Sequence, residues 1–155
     1  MKRAFTMIEL VFVIVVIGIL ASIAIPKFSA TRDDAIIAKA KTTLASIRSA
    51  LSQEVQKRQM QGNYNAISNL GGEVNGYDKP IFDYFDDGNA NGGSRVLEYP
   101  PKSCKDQNAR GCWIRSGNNT YKFKFPPSIG GEATITVQNN RIDCTPADKC
   151  KYLER

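Results

Sequence analysis

Residues 5–25 read FTMIELVFVIVVIGILASIAI, an apolar run whose single ionisable side chain is Glu9. As a helix the run is roughly 31 Å long, the thickness of a bilayer's hydrocarbon core. Lys2 and Arg3 precede it, so the positive-inside rule places the N-terminus in the cytoplasm and everything beyond Ile25 outside. A cleaved secretory signal is the competing reading, with Ser22-Ile23-Ala24 as a small-x-small cleavage site. The brevity of the basic segment and the acid inside the run count against it. An ionised carboxylate in hydrocarbon is costly, so Glu9 either lies wetted at headgroup depth or has a cationic partner. No side chain within one helical turn is a cation. A free amine on Phe5 would share its helix face, and the same amine on a neighbouring molecule would also serve.

Lys2-Arg3-Ala4, followed by Phe5-Thr6-Met7-Ile8-Glu9-Leu10 and the long apolar run, resembles the class III signal of type IV pilins and pseudopilins. The likeness is strongest to pseudopilins of type II secretion and competence systems. It implies a prepilin peptidase that cuts between Ala4 and Phe5, after which the new Phe5 amine is methylated. Ala4 stands where that family usually has Gly. The resemblance also implies that Glu9 governs assembly by pairing with a neighbour's Phe5 amine, and that Pro26 bends the helix at the outer edge of the membrane. An inner-membrane assembly platform would then draw the subunit into a helical filament of itself and other pilin-like chains. The implied location is a bacterial inner membrane, crossed once, with the C-terminal domain in the periplasm. These motifs occupy the first 25 or so residues; the rest of the chain resembles the family in architecture only.

Beyond Pro26, Ile36, Ala40, Leu44, Ile47, Leu51 and Val55 recur every three or four positions and draw one apolar stripe. Lys39, Lys41, Arg48, Lys57 and Arg58 take much of the remaining surface, and Gly62-Asn63 ends the helix near Met60. Unbroken from Thr6, such a helix is roughly 80 Å long. One small domain cannot cover it, so its first half requires a membrane or other copies. Residues 61–94 read as a loop with a helical turn around 81–85. Residues 95–155 read as an antiparallel sheet, with strands at 95–99, 112–115, 120–125, 133–137 and 141–144. Gly117-Asn118-Asn119 and Asn139-Asn140 make the hairpin turns. The expected fold is α+β: one long N-terminal helix, apolar then amphipathic, packed on a small C-terminal antiparallel sheet. Its divisions are a leader (1–4), an assembly helix (5–25) and an exported domain (26–155).

The 155 residues include no histidine and carry a net charge of +6. A Ser-His-Asp triad, a Cys-His pair and a His-based zinc site are therefore excluded. No phosphate loop is present, and nothing marks the paired acids Asp33-Asp34 or Asp86-Asp87 as a pocket, so no enzyme is expected. Cys104, Cys112, Cys144 and Cys150 are an even set in an exported domain and point to two disulfides, with three pairings open. Zinc would require tighter spacing. Asp87-Gly88-Asn89-Ala90-Asn91-Gly92 with Glu98 has the spacing of a calcium loop, although Pro100-Pro101 forbids an exit helix. Calcium at Asp87, Asn89, Asn91 and Glu98 would be weak and is not required for the fold. The resemblance supports it only in that major pseudopilins of type II secretion carry calcium in a C-terminal loop. Bases outnumber acids from Tyr99 to Arg155, with Lys122 and Lys124 opposite the aromatics of their strand. That face reads as solvated, or as a weak, salt-dependent contact with DNA. Three uses of a filament follow: secretion, DNA uptake or a surface pilus. The rival of another class is a secreted calcium-dependent binding domain behind an ordinary signal peptide.

Overall fold

The computed structural model describes residues 5–88 and 93–154. In chain order these contain α1 (Met7–Met60), a 3-10 turn (Phe85–Asp87), β1 (Cys112–Arg115), β2 (Thr120–Lys124), β3 (Glu132–Gln138), β4 (Arg141–Thr145) and α2 (Ala147–Glu154). The chain divides into two compact units, Met1–Ala35 and Ile36–Arg155.

The first unit is helical. Its stretch Met7–Ile25 has a mean hydropathy of 3.0, and side chains such as Phe5, Met7, Ile8 and Phe12 are exposed. Helical assignment continues through Pro26. Proline has no N–H, so the carbonyl one turn before it lacks its usual donor. The Pro26 ring lies outside the described side chains.

In the second unit the expected stripe is the buried face of α1. Ala40, Leu44, Ile47 and Leu51 are buried, and Ile36 and Val55 flank them half-buried. A fully buried leucine such as Leu44 contributes about 1.5–3 kcal/mol by burial. The helix ends as Gly62-Asn63 suggests. Gly62 adopts φ +75°, its N–H bonds to Gln59 O, and Asn63 N–H reaches back to Arg58 O at 2.8 Å. Those two bonds are a Schellman cap, and the positive φ is why glycine stands there.

Opposite the helix is a four-stranded antiparallel sheet of order β1-β2-β3-β4. Tyr121, Phe123 and Phe125 alternate inward with Trp113, Ala133, Ile135 and Val137 to meet α1. Asn139 and Asn140 take φ of 50° and 62° in the β3–β4 turn, the left-handed pair that a two-residue hairpin requires. The disulfides join Cys104 to Cys112 and Cys144 to Cys150. They are the local pairs, and each closes a short ring that constrains the unfolded chain.

Three expectations are corrected. Residues 95–99 are not a strand: Arg95 makes only an isolated bridge with Tyr84, and Val96 N–H donates to Asp83 O at 2.9 Å. The following Pro100-Pro101 has no N–H with which to extend a ladder. The helical turn falls at Phe85–Asp87 rather than 81–85, because Ile81 is bridged to Gly72 with its N–H donated to Pro101 O, and Phe82 has a φ of 61°. Residues 147–154 form a helix rather than part of the sheet. Cys150 and Leu153, three apart, give it a buried side.

Candidate functional site

The start of α1 carries a hydrogen-bonded motif that joins Thr6 to Glu9. Thr6 N–H donates to Glu9 Oε2 at 2.9 Å, and Thr6 Oγ1 donates to the same oxygen at 2.8 Å. Glu9 N–H in turn donates to Thr6 Oγ1 at 3.2 Å. This is the reciprocal capping box of a Thr-x-x-Glu sequence, which satisfies donors that a helix start otherwise leaves free. The Thr-x-x-Glu spacing of Thr6-Met7-Ile8-Glu9 is the sequence signal for this box. Oε2 is committed to the cap, whereas Oε1 has no partner among the described residues. Phe5, 82% exposed, immediately precedes Thr6 and lies four residues before this carboxylate. Ala4, the other residue expected at the processing site, lies outside the described residues. The chemistry on offer is an anion at the head of an exposed apolar helix, with one oxygen available to a cation.

A second polar cluster lies in the second unit, around Asp86 and Asp87. Asp86 accepts from Ser68 N–H at 2.6 Å, Ser68 Oγ at 2.8 Å and the Arg58 guanidinium at 2.7 Å. Arg58 also donates to Glu54 at 2.9 Å. Burial alone would raise the Asp86 carboxyl, but the Ser68 and Arg58 bonds outweigh it and hold it below the usual range. At Glu54, burial is likewise outweighed by Arg58, Ser94 and Lys57. Both acids therefore bind protons less readily folded than unfolded. Their stabilisation is present above the unfolded carboxyl pKa of about 4 and is lost as pH falls through the lower folded values. In detergent, the melting temperature of the full chain should be level from neutral pH to about 5 and drop below about 4. Asp86→Asn should flatten that acid limb. An unchanged limb in this variant would remove Asp86 from the account.

Arg115 is only 2% exposed although it is always charged. Its guanidinium makes a two-pronged contact with the Asp87 carboxylate and also donates to the carbonyls of Gly72, Gly117 and Asn118. Asn69 completes the cluster: its amide donates to Asp87 Oδ2 at 3.0 Å, and its Oδ1 accepts from Asp87 N–H at 3.0 Å. Beside it, Tyr121 Oη accepts from Leu70 N–H at 2.8 Å and donates to Gly71 O at 3.0 Å. Burial pushes that phenol well above its ordinary pKa. A Cβ at Gly71 would overlap Asp83 and the Tyr84 carbonyl, so only glycine fits there.

The calcium-loop residues are placed as follows. Asp87 is engaged by Arg115 and Asn69. Glu98 is exposed, with Arg95 at 3.9 Å. Asn89 and Asn91 lie outside the described residues. No group of three or more acids or cysteines able to hold a metal occurs among the described residues. The pair expected to share a basic face is partly neutralised. Lys124 is buried and donates to Gln107 O at 2.7 Å, and Lys122 stands 3.3 Å from Glu132. Strand alternation cannot reveal this, because the loop that covers Lys124 is held there by the Cys104–Cys112 bond.

Comparison with known families agrees with the N-terminal geometry. The prokaryotic N-terminal methylation motif matches residues 1–25. With that motif, a long helix with an apolar first part and a four-stranded antiparallel sheet, the chain is similar to type IV pilins. It is 50% identical over 48 residues to the type IV narrow pilus major component PilA5 of Thermus thermophilus. The matched stretch is 31% of this chain and 41% of that relative, so the likeness spans less than half of either. No solved structure matches the chain.

Proposed function

We propose that the chain is a structural subunit of an inner-membrane-anchored helical filament of the type IV pilus class, and not an enzyme. The observation that carries this reading is an exposed apolar helix headed by one carboxylate. Apolar side chains from Phe5 to Ile25 are exposed in the isolated chain, and an apolar surface of that extent has to be covered by lipid or by copies of itself. The subunit waits in the bilayer, a prepilin peptidase trims it before Phe5, and the assembly platform draws it into the filament. There each apolar helix exchanges lipid for its neighbours. The head is periplasmic, as two disulfides suit an oxidising compartment.

Among finer uses, a pilus comes first, because the curated relative is a pilus component. A type II secretion pseudopilus comes second, since its support was the calcium-loop spacing and Asp87 is already engaged by Arg115. Any calcium there has to displace the guanidinium. DNA uptake comes third, as Lys122 and Lys124 have partners within the chain.

Sequencing the mature N-terminus tests the class. We expect it to begin at methylated Phe5; a start at Ile25 would replace the filament with a secreted domain behind an ordinary signal. A deletion strain then separates the uses through surface filaments, secreted protein and transformation.

A further inference from the structure

β1 and β4 are the two edges of the sheet, and they are treated differently. Beyond β1, Asn75 N–H donates to Arg115 O and Cys104 N–H to Trp113 O, each at 2.8 Å. Among the described residues no such backbone partner lies beyond β4. The register shows which groups are left open. Gln138 and Arg141 flank the two-residue turn and face each other, so they exchange hydrogen bonds, and Ile142 turns its N–H and C=O away from β3. Val137, opposite Ile142, agrees: its N–H donates to Asn119 O at 2.9 Å, on the side away from β4. Ile142 is half-buried and lines an open groove of about 670 Å³ with Leu51 and Val55 of α1. Arg141 and Asp143 are exposed on the same strand, and neither makes an ion pair among the described residues.

We propose that β4 is a self-pairing edge, through which two copies of this chain join antiparallel about a two-fold axis at Ile142. In that register Ile142 exchanges both outward backbone bonds with Ile142 of the second copy. Arg141 of each copy stands opposite Asp143 of the other. Centring the axis on Asp143 instead would set two acids face to face. Edge charges ordinarily deter pairing, but this alternation of sign is complementary to itself. The joined sheets are continuous, and the half-buried Ile142 side chains meet at the centre. The contact is two-fold, whereas subunits within one filament are related head to tail. It therefore links heads of separate filaments or of unassembled subunits, and does not depend on the N-terminal helix.

Charge reversal tests it on the full chain in detergent, read by sedimentation equilibrium, with melts to check folding. The parent should dimerise with rising concentration. Arg141→Asp or Asp143→Arg alone sets like charges opposite each other twice and should weaken the dimer about tenfold or more. The double reversal should restore the parent's affinity, and mixing the two single variants should give a heterodimer. A monomeric parent overturns the proposal. So does association through the apolar helices that ignores the reversals, or a double variant as weak as the singles.

Discussion

Glu9→Ala is expected to leave membrane insertion intact and to abolish filaments. Insertion depends on the apolar run, which loses nothing when an acid becomes alanine. Assembly is different, because in the proposed filament docking would move the head of the helix from the membrane surface into a packed interface. Oε2 of Glu9 is already held by Thr6, so a neighbour's Phe5 amine would take Oε1 and neutralise both charges. Removing one partner of a buried pair costs roughly 3–5 kcal/mol because the other charge is left uncompensated. That penalty is on the order of a hundredfold or more at each docking step. Alanine also destroys the capping box, worth about 1 kcal/mol to the helix start. Glu9→Gln separates the effects, since glutamine can close the box but carries no charge. Both variants should reach the membrane, and neither should form filaments under the electron microscope. Filaments from the Gln variant would assign Glu9 to capping alone and end the amine-pairing mechanism.

Local spacing made most of the fold legible. The stripe from Ile36 to Val55, the stop at Gly62-Asn63 and the Asn139-Asn140 hairpin each express a rule acting within a few residues, and each lies where its residues suggest. What failed was non-local. Val96 and Leu97 look like strand residues, but the segment pairs only at an isolated bridge while its apolar side chains join the core. Lys124 alternates with aromatics as a solvent-facing residue would, and a loop tied down by a disulfide buries it. Cys150 and Leu153 were too few to mark a helix by period. The candidate assembly site was legible because it is sequential, Phe5 to Glu9. The Arg115 cluster was not, because Asn69, Gly72 and Asp87 are distant in sequence and join it only through the tertiary fold.

That cluster is the basis of the second large effect. Arg115→Met should keep the volume of the stem and lose every polar contact of the guanidinium. The Asp87 carboxylate is half exposed and can rehydrate, so its release adds little. The carbonyls of Gly72, Gly117 and Asn118 are left without this donor; Asn118 is exposed and can rehydrate, whereas Gly72 and Gly117 are half-buried, and each carbonyl stranded away from water costs about 1–3 kcal/mol. A loss of about 3 kcal/mol follows, or roughly 10 °C in the melting temperature of a domain this size. Arg115→Lys should recover little, since an ammonium cannot span Asp87 and three carbonyls with one rigid fork. The same variant decides the calcium question. In the parent an ion at Asp87 competes with the guanidinium; with Met there the competition is gone. Millimolar calcium should therefore raise the melting temperature of Arg115→Met more than that of the parent. Equal responses would detach Asp87 from any calcium site, and a variant that melts within about 2 °C of the parent would show that Arg115 does not hold the loop to the hairpin.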